Sequence, residues 1–459
     1  MFAKTTPTGK ESDPMHSIYT KSLFKSLNEY LDIYKSLFYK RSFQKFLIII
    51  CSILAVQEIR SIRFIYEKFI KKYFEGCLNS FYYFLADDSL DLSKMAIMTL
   101  SKALTLIAPH IRDKVTIYLI VDDTLQPKFG KCFECCSTLF DHADHSGRPY
   151  KNGHCFVSLA LALPLLIHNR IRYINIPIGC KLYDKSKTKL ELAAELIEEV
   201  APVLEKYQVI VLCDAWYTKK PFLSRILAFD FIHFIGAARV DTVTYELPPP
   251  PTGKKGRPRK KGDRIDYKKL DYSTKGISEN LFQVTVSCLT NLTERVVYAT
   301  YTTNDRTSFS SVRLYISSIP PESIRSFAVD TPDGLDLEGK PKLSNVFSIY
   351  RMRWSIEVMF YQQKTFWSFG KYMVRSKMAI EKYAHLVGVT YTLTILLPFI
   401  NSNFSKYQFQ SPQEIKYILG AKLHEELIID KLLKTLQLKK NTTAFNALRE
   451  HLNSEDIAS

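Results

Sequence analysis

The pattern of apolar and polar positions predicts helices in the first quarter of the chain. From about residue 22 to residue 107, apolar residues recur every three or four positions with Lys and Arg between them, most regularly in residues 43–54 and 59–74. This spacing gathers the apolar side chains on one face of an α-helix. Between Pro14 and Pro109 there is no proline. The region is therefore predicted to be all helical, either for packing alone or to read a DNA sequence in the major groove.

At residue 115 the periodicity changes from helical to extended. Residues 115–121 (VTIYLIV) form a continuous β-branched and apolar run, which is typical of a strand buried on both faces. Residues 156–166 and 208–212 have the same character, and residues 189–206, which lie between them, have helical spacing. An alternation of strands and helices predicts an α/β sheet.

A third pattern begins near residue 236. Residues 247–264 (LPPPPTGKKGRPRKKGDR) carry prolines and glycines that interrupt any regular element. Short β-type runs follow, and from residue 344 the helical pattern returns almost to the end, with interruptions near Pro398 and Pro412. We interpret the middle stretch as a β-rich segment inserted into the α/β domain. Its predicted strands are residues 283–289, 296–302 and 312–316.

Composition identifies the kind of partner. Hydrophobic residues make up 46% and charged residues 24% of the 459 positions, as in folded proteins. There are 63 Lys and Arg against 46 Asp and Glu, a net charge of +17, which favours a polyanionic partner. The longest apolar runs, such as residues 46–56, are shorter than the ~18–20 residues that span a bilayer. We expect no secretory signal, because residues 1–17 contain no apolar stretch, and no disulfide framework, because the nine cysteines are scattered along the chain. We expect a cytoplasmic protein with reduced thiols that binds nucleic acid and no membrane.

Candidate catalytic carboxylates follow two of the predicted strands. Asp122 and Asp123 come directly after residues 115–121, and Asp214 comes directly after the run at 208–212. In α/β sheets, ligands gather at the carboxyl ends of strands. An aspartate after a strand is also a common turn or helix-cap residue, so position alone does not establish a site.

A third acidic position lies in the helical segment at residues 344–370. Tyr350, Arg353, Glu357 and Lys364 have offsets of 0, 3, 7 and 14. At about 100° per residue they fall within an arc of roughly 60°, on one face of a helix. A carboxylate between two cations suits a phosphate held beside a metal ion, whereas the alternative is a solvated Arg353–Glu357 ion pair. Two strand-end aspartates and a helical glutamate in a basic chain indicate two-metal phosphoryl transfer.

The same segment carries a family resemblance. It reproduces the signature Y-x2-R-x3-E-x6-K of bacterial insertion-sequence transposases of the IS4 type, which have a DDE catalytic domain. Residues 121–124 (VDDT) and 211–217 (VLCDAWY) resemble the first two motifs of that family. The resemblance implies that the catalytic and metal-binding residues are Asp123, Asp214 and Glu357, and that Tyr350, Arg353 and Lys364 hold DNA phosphates.

The resemblance also implies an architecture. The expected fold is α/β, a ribonuclease-H-like core interrupted by a β-rich insertion and flanked by helical regions. The 143 residues between Asp214 and Glu357 exceed what a bare core needs, which leaves room for the insertion. The expected boundaries are 1–112 for a helical DNA-end recognition domain, 113–235 and 336–405 for the two parts of the core, 236–335 for the insertion and 406–459 for C-terminal helices.

The function implied is that of a DNA transposase. Such an enzyme would cleave at the inverted-repeat ends of its element and join the freed 3′-hydroxyl to target DNA, using two Mg²⁺ ions or Mn²⁺ as a substitute. Its partners would be the double-stranded element ends and target DNA, and it would act as a homodimer on DNA in the bacterial cytoplasm. Two alternatives remain open: an inactive DNA-binding relic, and a structure-specific nuclease of the same fold.

A basic loop adds a second predicted DNA contact. Residues 254–269 contain nine Lys or Arg in sixteen positions, and residues 256–260 (GRPRK) resemble part of an AT-hook. The alternative is an irregular loop that contacts phosphates without sequence preference. Under either interpretation the loop binds DNA through Lys254, Lys255, Arg257, Arg259, Lys260 and Lys261.

A cysteine- and histidine-containing segment offers a zinc alternative. Cys132, Cys135, Cys136, His142 and His145 are types of residue that bind zinc, but the gap between the cysteines and the histidines is too short for a zinc finger. The segment begins nine residues after the predicted first catalytic aspartate, where hairpin strands are expected. For His154, a few residues further on, a structural hydrogen bond is favoured over a catalytic role.

Overall fold

The fold is known from a computed structural model. It describes residues 23–107, 116–130, 132–141, 147, 149–167, 170–250, 257–272, 274–275, 281–327 and 346–438. The helices are α1 Leu23–Leu31, α2 Lys40–Ala55, α3 Ile62–Ile65, α4 Lys71–Tyr73, α5 Leu78–Ala86, α6 Leu92–Leu104, α7 Lys189–Leu204, α8 Lys220–Ile226, α9 Pro321–Phe327, α10 Val346–Tyr350, α11 Trp354–Phe366, α12 Lys377–Ile400 and α13 Pro412–Leu438. The strands are β1 Thr116–Pro127, β2 Ser137–Phe140, β3 Tyr150–Ile167, β4 Arg170–Leu182, β5 Gln208–Cys213, β6 Ile232–Ala238, β7 Thr244–Tyr245, β8 Thr274–Lys275, β9 Phe282–Thr290, β10 Val297–Thr303 and β11 Arg313–Ser317.

The helical prediction for the first quarter of the chain is confirmed by α1 to α6. Apolar positions of α2 such as Phe46, Ile50 and Ile53 are buried, as their spacing predicts. Helix α6 begins where the Asp91 carboxylate accepts a hydrogen bond from the backbone N–H of Lys94 at 2.9 Å, a typical N-cap. These helices join the rest of the protein closely, since α6 packs on α7 and β4 and α2 packs on α12 and α13.

The α/β class is confirmed by a mixed sheet of eleven strands. Its order is β2-β3-β1-β5-β6-β11-β10-β9-β7, with β4 paired to β3 and β8 paired to β9. Strands β1, β3 and β4 pair antiparallel, whereas β5 and β6 run parallel to β1. Helices α6 and α7 pack against β3 and β4, α12 packs against β4, and α11 packs against β1 and β4.

Strand β1 is longer than its apolar run predicts. The predicted end at residue 121 is wrong, because β1 continues to Pro127 through antiparallel pairs with β3 from Tyr118–Ala162 to Pro127–Gly153. On its other side, the parallel pairing with β5 stops at Ile120–Leu212. Asp122 and Asp123 therefore lie inside β1, yet beyond the carboxyl end of the neighbouring strand.

The three β-type runs after residue 281 are confirmed as strands β9, β10 and β11. They extend the same sheet, because β11 pairs antiparallel with β6 through Leu314–Ala238 to Ser317–Ile235. Strands β10 and β9 then follow as an antiparallel meander. The β-rich stretch is thus a continuation of the central sheet at its β6 edge.

The last part of the chain is helical across the described residues 346–438, as predicted, and α12 is its core helix. In the described part of the chain, Lys377–Ile400 is the one helix long and apolar enough to cross a membrane, and 83% of its most apolar window is buried inside the protein. The prolines lie near helix ends, since α12 ends two residues after Pro398 and α13 starts at Pro412. Helix α13 packs against α1, where the Glu426 carboxylate accepts the backbone N–H of Leu23 at 2.6 Å.

Candidate active site

Strand register places Asp122 and Asp214 side by side. Each residue lies two positions beyond the last parallel pair, Ile120–Leu212, of strands β1 and β5. Side chains alternate between the two faces of a strand, so Asp122 shares a face with Ile120, and Asp123 points to the other face. The two adjacent aspartates of β1 therefore have different surroundings.

Asp122 faces the helical segment that carries the third acidic residue. The Arg353 guanidinium donates from Nη1 to Asp122 Oδ2 at 2.8 Å and from Nη2 to Glu357 Oε1 at 2.5 Å. The Arg353 and Asp122 side chains are each only 16% exposed. We call this arrangement of Asp122, Arg353 and Glu357 the arginine bridge. It brings the helical glutamate to the strand-end aspartates, although 231 residues separate Arg353 from Asp122.

Asp123 makes a different set of contacts on the opposite face. Its carboxylate accepts hydrogen bonds from Lys189 Nζ at 2.7 Å, from the Tyr217 hydroxyl at 2.9 Å and from the Cys155 thiol at 3.1 Å. Burial raises the pKa of the Cys155 thiol, which keeps it a protonated donor. Asp123 thus joins the start of α7, the turn after β5 and strand β3.

Asp214 is positioned by the turn in which it lies. Its Oδ1 accepts the backbone N–H groups of Trp216 at 2.9 Å and Tyr217 at 3.2 Å, and its carbonyl accepts the Thr218 hydroxyl at 2.9 Å. A Cβ on Gly236 of the next strand would approach Thr218 Oγ1 to 2.2 Å. Only glycine fits beside this turn in its present shape.

Two further residues of the predicted helical set line the same segment. Lys364 Nζ donates to the Leu125 carbonyl of β1 at 3.1 Å, and the Tyr350 ring lies 4.9 Å from the ring of Tyr315 on β11. The segment is not one continuous α-helix, because a 3₁₀ turn at Arg351–Arg353 separates α10 from α11. The predicted single helix face is therefore divided, with Tyr350 at the end of α10 and Glu357 in the first turn of α11.

The electrostatics of the carboxylates reflect burial and mutual repulsion. Burial raises the pKa of Asp122 to about 7, with the Arg353 guanidinium opposing the rise and the Asp214 carboxylate adding to it. The pKa of Asp214 is also raised, chiefly by burial, against the effect of the backbone N–H groups of Tyr217 and Trp216. Buried acids held close together attract a cation, since a cation favours their ionised forms.

The chemistry of these donors suits a hard divalent cation. Carboxylate oxygens of Asp122, Asp214 and Glu357 are the ligand type that Mg²⁺ and Mn²⁺ prefer. Across the described ranges, no group of three or more His, Cys, Asp and Glu side chains is already arranged to hold a metal ion. In the arginine bridge, the guanidinium lies between two of the three carboxylates.

The basic loop is described from residue 257 onward, and Lys254 and Lys255 lie outside the described residues. Arg257, Arg259 and Lys260 are exposed, and Arg259 pairs with Asp263 at 2.8 Å. The Lys261 ammonium donates to Asn291 Oδ1 at 2.6 Å and lies 4.5 Å from the centre of the Tyr245 ring. The described part of the loop is thus attached to β7 and to the turn between β9 and β10, with its cations on the surface.

The other candidate ligands have structural surroundings. His154 Nδ1 lies 2.6 Å from the Tyr372 hydroxyl and Nε2 lies 2.8 Å from the Glu134 carbonyl, which confirms the structural interpretation of this histidine. His142 and His145 of the zinc alternative lie outside the described residues. Cys132, Cys135 and Cys136 are free thiols.

Sequence reasoning missed several residues that shape the site. Lys189 and Tyr217 hold Asp123, yet neither stood out in a chain with 63 Lys and Arg and 27 Tyr. Tyr217 lies within the second motif, three residues after Asp214, and this position in the sequence could have indicated that it belongs to the site. For Lys189, the sequence predicts only its place at the start of a helix.

A comparison with known families finds one match. The model of the DDE superfamily endonucleases matches residues 40–279, just over half of the chain. The chain therefore belongs to this family, and membership implies that DNA is its substrate. The matched region contains Asp122, Asp123 and Asp214 and ends before the helix that carries Glu357. DDE-type endonucleases generally use divalent metals. A comparison with curated proteins finds no match.

Proposed function

We propose that this DDE endonuclease is a transposase of the IS4 type, which cleaves the inverted-repeat ends of its element and joins them to target DNA. The observation that carries the proposal is the arginine bridge. It unites the strand-end acids with the Tyr350, Arg353, Glu357 and Lys364 signature, whose spacing matches that transposase group. The strand order β4-β3-β1-β5-β6, antiparallel then parallel, supports a ribonuclease-H-like core.

For the metal-binding set we propose Asp122, Asp214 and Glu357. The family resemblance selects Asp123, whereas strand register and the contact with Arg353 favour Asp122. Asp123 points to the opposite face of β1, where it accepts hydrogen bonds from Lys189 and from Tyr217 of the turn that follows Asp214, and these contacts suit a residue that positions that turn. Divalent ions bound by this set would activate water or a 3′-hydroxyl and stabilise the leaving oxygen.

The protein's own groups would hold the DNA in place. Arg353 and Lys364 supply cations on either side of Glu357, and guanidinium groups bind phosphates through two parallel hydrogen bonds. Tyr350 borders the same site on the β11 side. The exposed Arg257, Arg259 and Lys260 of the basic loop add a salt-dependent attraction to the DNA backbone.

A cleavage and strand-transfer assay tests the proposal. Purified protein is incubated with labelled duplex carrying the element's ends, in Mg²⁺ or EDTA, beside the Glu357→Ala variant. We expect nicking at the element's end and joined product in Mg²⁺, both lost in EDTA and in Glu357→Ala while DNA binding persists. Wild-type protein that binds DNA without any metal-dependent cleavage would refute the proposal and favour a DNA-binding relic. Cleavage without joining of a supplied 3′-hydroxyl end would indicate a nuclease.

A matched pair of variants decides between the neighbouring aspartates. We expect Asp122→Asn to reduce nicking to background. Asp123→Asn should reduce it only about 10–100-fold, as for residues that orient metal ligands. Both substitutions remove one carboxylate from the same strand, so each serves as the other's control. The opposite ranking would restore Asp123 as the metal ligand.

A further inference from the structure

The arginine bridge places a cation where the proposed metal-binding carboxylates converge. The two hydrogen bonds of the guanidinium, at 2.8 Å and 2.5 Å, each join it to a carboxylate oxygen. The side chains of Arg353 and Asp122 are largely buried, and that of Glu357 is 35% exposed. Charge-assisted hydrogen bonds in such surroundings are stronger than neutral ones. Two of the three acids are thus already neutralised by a residue of the protein.

We propose that Arg353 couples metal binding to DNA binding. Without DNA, the guanidinium neutralises Asp122 and Glu357 and weakens their affinity for a divalent ion. When DNA binds, one of its phosphates forms an ion pair with the guanidinium. The two carboxylates then lose their ion pairs with Arg353 and can bind a metal ion. The inference rests on the proposed function, because it assigns the metal-binding role to the same three carboxylates.

Charge balance supports this exchange. A phosphate can accept two parallel hydrogen bonds from a guanidinium, as a carboxylate can. The interaction free energy of the arginine therefore changes little when a phosphate replaces the carboxylates. The released Asp122 and Glu357 then stand near Asp214 as unneutralised anions, a pattern that a divalent cation relieves. A second observation comes from strand register, because Asp122 and Asp214 each lie two positions beyond the last parallel pair of β1 and β5 and therefore share one end of the sheet.

Thermodynamic linkage makes the proposal quantitative. If DNA raises the affinity for metal by some factor, metal must raise the affinity for DNA by the same factor. Coupling of this kind is typically about 5–150-fold. Removing the guanidinium should therefore raise metal affinity in the absence of DNA and abolish most of the effect of DNA.

The experiment measures Mn²⁺ binding to the full-length protein by electron paramagnetic resonance, without DNA and with a duplex that is already cleaved at the element's end. In wild type we expect DNA to tighten Mn²⁺ binding at least about fivefold. Arg353→Gln should bind Mn²⁺ without DNA at least about fivefold more tightly than wild type. Arg351→Gln is the matched control, because it removes an exposed arginine from the same 3₁₀ turn.

A conservative variant separates charge from structure. Arg353→Lys keeps a cation between the carboxylates and should bind Mn²⁺ without DNA as weakly as wild type. Equal Mn²⁺ affinity of wild type and Arg353→Gln, or tight binding by Arg353→Lys, would overturn the inference. In either case metal-dependent cleavage by wild type would leave the proposed function standing. Absence of Mn²⁺ binding in every sample, with or without DNA, would overturn both.

Discussion

Lys416 is a buried cation whose removal should have opposite effects at two pH values. It lies where α13 crosses the ends of α2 and α11 and is only 1% exposed. Its Nζ donates to the Phe366 carbonyl at 2.7 Å and to the Val56 carbonyl at 3.2 Å. Burial lowers the pKa of Lys416 from the usual 10.5 to about 8. The folded state therefore disfavours the charged lysine relative to the unfolded chain.

The magnitude follows from this pKa difference. The difference between a pKa of 10.5 in the unfolded chain and about 8 in the folded protein corresponds to about 3 kcal/mol. Because the folded pKa is lower, the unfolded chain binds more protons between about pH 8 and pH 10.5, and the free energy of unfolding rises with pH across that window. The Lys416→Met variant removes this penalty and also two hydrogen bonds worth about 1 kcal/mol each. We expect the variant to be about 1 kcal/mol more stable than wild type at pH 7 and about 1 kcal/mol less stable at pH 10.

Urea unfolding of wild type and variant at matched pH, followed by tryptophan fluorescence, measures this difference. The Lys416 ammonium lies 5.6 Å from the centre of the Trp367 ring, so that indole reports on the region directly. Lys422→Met, an exposed lysine on the same helix, is the control and should change the free energy of unfolding by less than about 0.5 kcal/mol. A Lys416→Met effect of the same sign and size at both pH values would refute the reasoning.

Three further predictions concern the site and the core. Lys189→Met should cost about 1–3 kcal/mol of unfolding free energy, because it leaves the Asp123 carboxylate without its ion pair; thermal unfolding measures it. Gly236→Ala should cost about 1–3 kcal/mol and reduce nicking, because its Cβ would displace Thr218 beside the turn that holds Asp214. Burial lowers the pKa of His385 in the folded protein, so as pH falls the unfolded chain binds a proton at this histidine before the folded protein does. The free energy of unfolding of wild type should therefore fall more than that of His385→Gln as pH decreases below about 6.5.

Each of these predictions has a control or a contradicting result. Gly388→Ala should be tolerated, since the nearest atom to its Cβ would be 3.8 Å away, and equal losses in both glycine variants would contradict the steric argument. Lys187→Met removes a neighbouring, more exposed lysine that pairs with Glu195 and should cost less than Lys189→Met. Parallel pH profiles for wild type and His385→Gln would show that this histidine does not titrate differently on unfolding.

The sequence determined the elements whose signals are local. Spacings of three and four residues predicted α1 to α6, and continuous apolar runs predicted the centres of β1, β3 and β5, because burial of one face or both faces leaves that pattern in the sequence itself. The spacing of Tyr350, Arg353, Glu357 and Lys364 likewise required no knowledge of the rest of the chain. This spacing identified the helical segment that lies beside the carboxyl ends of the strands in the folded protein.

Only the tertiary structure decided how distant segments meet. The length of β1 depends on pairs with β3, and the continuity of β11 with β6 depends on a partner more than seventy residues away, so neither leaves a local signal. Asp122 and Asp123 are neighbours in sequence and differ only in the sheet face to which they point. Which of them meets Arg353 is set by the face on which α11 packs, and that choice exists only once the sheet has formed.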